Sequence, residues 1–360
     1  METKKGGQMN KKAPDSLRSF LGLRRAQRTF PDGGGAMRRK RILRRLRQIN
    51  IGKLIRRDLE RRRKWQERRR TPHPTTKKLP VFVVGCNRSG TNMVCAAIGK
   101  SPHGWAYQES EFSLAFNGYY LRADRIIEWL IRRTPAPIVS FGSILDSQFT
   151  DDLLSRFEGA RAIWVYRRYE DVANSSARKP WGYHLNDLAR WVARGELERL
   201  GARGKRISAD TVRLLGKLFR EDLSKEDGAC LYWYMRNQLY FDLNLHMDPR
   251  VLIVQYEDTV LNKEKTFRRI FDFLGFPYDP EIIDGIFSSS VGKHPWPGID
   301  PAIQEVCDAL KARLDAYYAR TSDWMPAENE LLLTSQVAHS ESTHSPTERP
   351  SHQRFGPDSE

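Results

Sequence analysis

The 360-residue sequence is 39% hydrophobic, so the chain is long enough to bury a substantial core in one large domain or two small ones. Its four cysteines form no CxxC pair and have no metal-ligand spacing, which favours a reducing cytoplasm over a disulfide framework. No run of eighteen apolar residues is present and no apolar segment follows the charged N-terminus, so we expect neither a membrane span nor a signal peptide.

Charge separates the N-terminal part of the sequence from the rest. Residues 1–78 contain 27 basic and 6 acidic residues, whereas the remainder contains 34 basic and 38 acidic residues. Within this basic extension we predict disorder over 1–35, an amphipathic helix over 36–70 and a linker over 71–78. Such a helix either docks on an anionic membrane surface or nucleic acid, or packs on its own domain or a second subunit. Of these partners we expect peripheral membrane contact and no specific nucleic acid.

From residue 79 onward, apolar strands alternate with helices, which predicts a single α/β domain over 79–322. We expect a P-loop-like, mostly parallel central sheet flanked by helices, with the ligand at the carboxyl ends of the strands. The charged stretch 183–225 resembles a lid or insertion more than core, and a disordered tail is predicted over 323–360. Strands are predicted at 81–84, 162–166 and 251–254 with a further apolar run at 138–141, and helices at 93–98, 125–132, 153–157, 229–245, 266–274 and 303–318.

A glycine-bounded loop follows the first predicted strand, and residues 85–92 read GCNRSGTN. Its two glycines have the spacing of the nucleotide-hydrolase loop GxxxxGK[ST], in which the lysine reaches phosphates and the hydroxyl holds Mg²⁺. Here Thr91 replaces the lysine and Asn92 replaces the hydroxyl residue, so a triphosphate with its metal is disfavoured. Arg88 instead supplies a permanently charged fork that suits a small oxyanion handled without a metal.

A second group of residues follows the strand predicted at 162–166. Arg167 stands at the carboxyl end of that strand, and Ser175 follows eight residues later in the next helix, so that the two can grip one phosphate together. The alternative is that these residues are only surface charges at the start of a helix, where acidic side chains interact favourably with the helix dipole. We favour that interpretation for Arg168 and a functional one for Arg167 and Ser175.

At these positions the chain resembles the sulfotransferases that use 3′-phosphoadenosine-5′-phosphosulfate (PAPS), in their bacterial-type form. The family's 5′-phosphosulfate loop has the form GxxRSGTT, found also in tyrosylprotein and carbohydrate sulfotransferases, and its 3′-phosphate motif has the same arginine–serine spacing. Residues 254–260, VQYEDTV, and 270–277, IFDFLGFP, are similar to the family's late YEDL…FLG pattern. Residues 288–296, SSSVGKHPW, resemble its last nucleotide-contacting segment.

The resemblance implies metal-free, in-line transfer of a sulfuryl group from PAPS to an acceptor hydroxyl or amine, with PAP as the product. In the family the loop binds the 5′-phosphate, its arginine stabilises the transferring group, and the arginine–serine pair holds the 3′-phosphate. Two lysines are further candidates for phosphate contact. The residues implied in binding PAPS are therefore Arg88, Ser89, Gly90, Thr91, Asn92, Arg167, Ser175, Lys179 and Lys293.

An acceptor hydroxyl needs a general base, because it is a poor nucleophile at neutral pH. In tyrosylprotein members of the family, the catalytic glutamate lies at the position that Glu109 occupies relative to Arg88. We therefore expect Glu109 to be the base and Arg88 its catalytic partner, with Glu111 as the fallback. Without the resemblance, Glu109 reads as a solvated loop carboxylate. His103 and His184 are weaker alternatives.

The interpretation stays open because the chain departs from the family pattern at one position, and because neither the function nor the acceptor is unique. Many relatives carry a lysine after the strand that precedes the arginine–serine motif, whereas no lysine occurs here from residue 134 to 177. Either Arg88 alone carries the charge of the leaving group, or Lys293 or an arginine within 122–133 replaces the lysine, or the activity is weakened or altered. The competing functions are a phosphotransferase with a divergent loop and a non-enzymatic module with a basic arm. The sequence does not distinguish among a carbohydrate, a lipid, a small metabolite and tyrosine as the acceptor. The aromatic segment 232–241 either belongs to the core or lines a cleft.

Overall fold

The computed structural model describes residues 51–109, 113–117, 119–179 and 183–322. The chain divides into two compact units, residues 1–62 and 63–360. The predicted disordered segments 1–35 and 323–360 lie outside the described residues, as do the first part of the predicted extension helix and Glu111. The part of that helix which is described runs from Ile51 to Arg70 without a break at Gly52.

The strands of the larger unit are β1 (Leu79–Gly85), β2 (Gly104–Gln108), β3 (Phe116–Asn117), β4 (Tyr120–Leu121), β5 (Ile138–Gly142), β6 (Arg161–Tyr166) and β7 (Val251–Gln255). Five of them form a central parallel sheet in the order β2-β5-β1-β6-β7, which confirms the predicted fold class. The strands β3 and β4 form a separate two-stranded antiparallel sheet. The strand β2 was not predicted, because its edge position and its aromatic sequence GWAYQ give no simple apolar run.

Helices connect consecutive parallel strands, as the crossover geometry of such sheets requires. The α-helices are α1 (Ile51–Arg70), α2 (Thr91–Lys100), α3 (Asp124–Arg133), α4 (Thr150–Arg156), α5 (Tyr169–Ala177), α6 (Tyr183–Ala193), α7 (Ala209–Leu218), α8 (Lys225–Asp242), α9 (Tyr256–Leu261), α10 (Lys263–Leu274) and α11 (Pro301–Ser322). Short 3-10 helices occur at Ser147–Phe149, Leu197–Arg206, Leu245–Met247 and Pro280–Ile283.

The sheet is buried on both faces, because successive side chains of each strand point to opposite sides. In β1, Phe82 and Val84 join one hydrophobic cluster, whereas Val81 and Val83 join the other. The first cluster contains α8, whose Trp233 and Tyr240 are almost completely buried. The aromatic segment of this helix is therefore mainly core.

The expectation that residues 183–225 form a lid or insertion is wrong. Leu185, Ala189 and Val192 of α6, together with Leu215 of α7, are buried in the first hydrophobic cluster. Charged side chains occupy the outer faces of these helices, and this surface charge dominates the composition of the segment. An amphipathic core helix and a lid helix have the same composition, so the packing could not be predicted from it.

The end of α1 packs within the larger unit against the end of α2. The rings of Trp65 and Trp105 lie edge to face at 5.4 Å, and the Arg68 guanidinium donates to the Lys100 carbonyl at 2.8 Å. The Lys64 ammonium donates to the Gly99 carbonyl, and burial lowers the pKa of this lysine to about 8. Cations thus satisfy carbonyl groups at the end of α2, where the helix dipole is negative.

Candidate active site

The loop after β1 has the backbone of an anion-binding turn. Gly85, Arg88 and Gly90 all have positive φ angles, of 137°, 69° and 88°. A Cβ atom at Gly85 would lie 2.2 Å from the Val165 carbonyl oxygen, so only glycine fits beside β6. Arg88 is not a glycine, and a residue held in this strained conformation is typical of a functional turn.

The carboxyl end of β1 is held by a buried serine of the neighbouring connection. The Gly85 amide donates to Ser147 Oγ at 2.9 Å, and the same hydroxyl donates to the Gly85 carbonyl at 3.0 Å. The buried guanidinium of Arg236 also donates to this carbonyl, at 3.2 Å. The polar groups of Gly85 are therefore occupied within the protein, and a site for an anion would lie further along the loop.

That site is the first turn of α2. The helix begins after Gly90, whose backbone is left-handed, and no side chain caps its first amides. The hydroxyl of Ser89 is fully buried and has no hydrogen-bond partner among the described residues. Thr91 is buried as well, whereas Asn92 is exposed. Uncapped amides, a buried unpartnered hydroxyl and the positive helix end together suit a phosphate or sulfate group.

Arg167 is buried at the carboxyl end of β6, with only 6% of its surface exposed. Its guanidinium forms an ion pair with Asp171 at 3.0 Å, donates to the Ser290 carbonyl and lies 4.3 Å from the centre of the Tyr256 ring. The same ring packs against the loop, because a Cβ atom at Gly90 would lie 2.2 Å from it. Tyr256, which belongs to the YED segment, thereby connects the arginine to the loop.

Arg88 brings the two sequence motifs together. Its Nε donates to Ser175 Oγ at 2.8 Å, and its carbonyl accepts from Arg167 at 3.3 Å. Arg88 is itself exposed, so its guanidinium lies at the surface of the site. The three residues that the sequence motifs selected therefore lie in one continuous group, although they are up to 87 residues apart in the chain.

The segment around Lys293 lies against the same group. Besides the Ser290 contact, the Gly292 amide donates to Asp171 at 3.3 Å. The Lys293 side chain is exposed, and Lys179 lies beyond the end of α5, where its amide donates to Ser176. Arg168 is turned to Asp171, 2.9 Å away, at the start of α5. This geometry gives Arg168 a role at the helix start and leaves both lysines at the rim.

Glu109 directly follows β2, at the carboxyl ends of the parallel strands, where the loop after β1 also lies. Its carboxylate accepts a hydrogen bond from the Leu145 amide at 3.0 Å. Burial raises the pKa of this carboxyl to about 7, against the lowering effect of the hydrogen bonds from Leu145 and Ile144. A carboxylate that titrates near neutrality, at the strand edge beside the anion site, has the properties of a general base.

The two histidines considered as alternative bases are placed differently. His103 lies before β2, at the opposite end of that strand from Glu109, and pairs with His73 at 3.1 Å. His184 is an exposed residue of α6 that lies 3.6 Å from Asp187. Neither contacts the group formed by Arg88, Arg167 and Ser175.

Sequence analysis missed Arg236, which reaches the site from the middle of the aromatic helix α8. Its guanidinium donates to the carbonyls of Gly85 and Ile144 and to the side chain of Gln148. These bonds link the end of β1 to the segment after β5, whose Leu145 amide holds the Glu109 carboxylate. Arg236 therefore positions both the loop after β1 and the surroundings of Glu109. An arginine within an otherwise aromatic, buried stretch was the available signal, because a buried charge requires specific partners.

The described residues form neither a metal-binding cluster nor a membrane-spanning helix. Over these ranges, no three histidine, cysteine, aspartate or glutamate residues lie close enough together to hold a metal ion. None of the described helices is both long and apolar enough to cross a membrane.

Comparison with known proteins identifies a family. A family model described as the sulfotransferase domain matches residues 78–293, more than half of the chain. A search of curated proteins found no significant match.

Several solved structures are similar to this one at low sequence identity. The sulfotransferase domain from the curacin biosynthetic pathway is 15% identical to this chain, with a TM-score of 0.41. The match covers 65% of this chain and 99% of that domain. The sulfotransferase domain from the olefin synthase of Synechococcus PCC 7002 is 16% identical, with coverages of 76% and 98% and a TM-score of 0.37. A sulfotransferase from Alicyclobacillus acidocaldarius is 13% identical, with coverages of 67% and 94% and a TM-score of 0.38. TM-scores this low do not establish a shared fold, so the assignment of this chain to a family rests on the family model.

Proposed function

Because this chain belongs to the sulfotransferase family, we propose that it moves the sulfuryl group of PAPS to a hydroxyl or amine of an acceptor. The observation that carries this proposal is the contact of Arg88 with both Ser175 and Arg167. One group of side chains thereby faces two places where phosphate can bind, the first turn of α2 and the side of α5 that carries Ser175. PAPS carries phosphates at two separate positions, which an ordinary adenylate does not.

The residues present fit such a donor. The uncapped amides of α2 and the buried hydroxyl of Ser89 would hold the 5′-phosphate, with Gly90, Thr91 and Asn92 shaping the turn. Arg167 and Ser175 would hold the 3′-phosphate, and the half-buried Lys179 and the exposed Lys293 would add positive charge at the rim. When bound, PAPS supplies the sulfuryl group, whose bond to the phosphate oxygen breaks as the acceptor oxygen bonds to sulfur.

Three tasks then fall to residues of this chain. Glu109 takes the proton of the acceptor hydroxyl, because its buried carboxyl titrates near pH 7. Arg88 stabilises the negative charge that collects on the transferring group and on the leaving oxygen. In this account Arg88 does so without the lysine that many relatives carry, while Arg236 braces the two backbone segments around it.

Calorimetric titration distinguishes this function from phosphotransfer by a divergent loop. We expect PAP to bind about 100-fold more tightly than ATP with Mg²⁺, because Arg167 and Ser175 would contact only the 3′-phosphate of PAP. Tighter binding of ATP would contradict the proposal. Loss of [³⁵S]sulfate transfer in Arg88→Ala, with the protein still folded, is expected as well. A protein that binds PAP but transfers no label to any acceptor would instead be a non-enzymatic module.

We further propose that the basic arm, residues 36–70, makes peripheral contact with anionic membranes. In its described part Leu59 is 60% exposed, and Arg69 and Arg70 are exposed. Each such basic residue near an anionic leaflet contributes about 1 kcal/mol. Deletion of residues 1–70 removes the whole arm, so it should abolish sedimentation with phosphatidylserine vesicles while leaving the affinity for PAP unchanged. Unchanged sedimentation would reject the membrane role.

A further inference from the structure

A cavity of about 190 Å³ lies beside the candidate active site. Asn87, from the loop that follows β1, forms one of its borders, and Leu145, whose amide binds the Glu109 carboxylate, forms another. The remaining walls come from α6, α8 and the 3-10 helix Leu197–Arg206. The cavity therefore joins the anion loop to the backbone that holds the candidate base.

Most of the cavity surface is aliphatic. Side chains from α6, from the 3-10 helix Leu197–Arg206 and the residue directly after it, and from α8 converge on it. These apolar residues include Leu185, Leu188, Leu200, Ile207 and Leu239.

Four of the six polar side chains that border the cavity are paired with one another, and the other two are His184 and Arg203. The Tyr232 hydroxyl donates to Asn87 Oδ1 at 2.8 Å, and the Arg236 guanidinium donates to the Gln148 side chain. Arg203 lies over the Tyr120 ring, 5.1 Å from its centre. None of the lining residues is a carboxylate. A ligand with many hydroxyl groups would lose its water there without gaining equivalent hydrogen bonds, which is costly.

We propose that this cavity binds the acceptor, and that the acceptor is an apolar alcohol or a phenol rather than a carbohydrate. The proposal rests on the proposed function and specifies its substrate class. An apolar cavity of about 150 Å³ holds benzene in another protein, so the present one takes roughly one ring or a chain of six carbons. A single hydroxyl at the end of that group then lies toward Asn87 and Leu145, where the donor loop and the base meet.

Binding to the wild-type protein saturated with PAP tests the proposal without requiring turnover. We expect calorimetry to give at least about tenfold tighter binding of 4-methylphenol and 1-hexanol than of methyl β-D-glucoside, since the cavity gains most from apolar surface. Equal or tighter binding of the glucoside overturns the proposal, and so does the absence of binding by all three compounds.

A pair of leucine variants locates the binding site. Leu188→Gln places an amide in the cavity wall and should weaken 4-methylphenol binding about tenfold, with the affinity for PAP unchanged. Leu261→Gln changes a leucine that is 60% exposed and lies outside the cavity, and it should alter neither affinity. Unchanged phenol binding in a folded Leu188→Gln protein also overturns the proposal.

Failure of the donor proposal gives a different result. If PAP does not bind, the PAPS-dependent function fails, and titration of the PAP-free protein with 4-methylphenol still measures the cavity. Binding that Leu188→Gln weakens would then support the cavity assignment on its own, whereas no binding would overturn it.

Discussion

The donor side and the acceptor side of the site are built differently. On the donor side, the residues that would grip phosphate come from the ends of two neighbouring strands and the helices after them, and Arg88 connects them directly. On the acceptor side, Glu109 and the cavity draw on β2, the connection after β5, and helices as distant as α8. The donor side consists of two short motifs that Arg88 joins, whereas the acceptor side depends on how many distant segments pack together.

The difference has a physical reason. A phosphate is recognised by amides and fixed charges, which a short turn and one helix start can supply. An acceptor is recognised by the shape and polarity of a cavity, which side chains from many elements must form together. A local change should therefore damage one side only, except at Gly85 and Arg236, where the two sides share a contact.

The largest expected effect separates chemistry from donor binding. Glu109→Gln keeps an oxygen to accept from Leu145 but removes the base, so kcat for [³⁵S]sulfate transfer should fall about 10²- to 10⁴-fold. The affinity for PAP should not change, because Glu109 lies on the acceptor side. Glu128→Gln, on the exposed part of α3, is the control and should retain full activity. Undiminished transfer by Glu109→Gln would move the base elsewhere.

The next effect is on stability and reaches both sides at once. Gly85→Ala would bring its Cβ to 2.2 Å from the Val165 carbonyl in a backbone conformation that favours glycine. We expect the free energy of unfolding to fall by about 3 kcal/mol or more in urea titrations. Gly159→Ala is the matched control: its φ is also positive, but no atom lies within 4 Å of the new Cβ, so about 1 kcal/mol is expected. Equal losses would show that the contact with β6 is unimportant.

Two adjacent arginines sharpen the comparison within the donor side. Arg167→Met should weaken PAP binding about 30- to 150-fold, because it removes a buried charge from the group that contains Arg88 and Ser175. Arg168→Met removes a partner of Asp171 at the helix start, and a change below about threefold is expected. Melting temperatures must be measured for both variants. If the two variants bind PAP equally well, Arg167 is structural only.

The smallest effect concerns a single hydroxyl. Ser175→Ala removes the partner of Arg88 Nε and one phosphate donor, so PAP affinity should fall about fivefold. Ser176→Ala, whose side chain is buried beside it, should leave the affinity unchanged. Both affinities can be read from calorimetric titrations. If only Ser176→Ala loses affinity for PAP, the phosphate contact lies on the other face of α5.

Much of the fold and of the donor side could be predicted, because the relevant patterns are local. Valine-rich runs mark the buried strands, and glycines mark the turn whose φ angles they permit. The edge strand β2 has no such run, and the charged outer faces of α6 and α7 hid their buried leucines. Arg236 joins the site through bonds to residues 92 and 151 positions away, which no spacing rule connects.

Glu109 shows the same limit in its chemistry. The family resemblance selected it, but its pKa depends on burial by segments that are distant in the sequence. Only the packing around β2 and β5 makes this carboxyl titrate near neutrality. The family resemblance therefore selects the candidate base, whereas the packing determines the pH at which this carboxyl would titrate.

The most direct test is the pH dependence of [³⁵S]sulfate transfer from PAPS to an apolar alcohol. The base must be deprotonated, so the wild-type kcat/KM should rise as pH increases through about 7 and then level off. The residual activity of Glu109→Gln should show no such step. A wild-type profile that is flat from pH 5 to 9, or a step at pH 7 that persists in Glu109→Gln, would contradict the assignment of Glu109 as the general base.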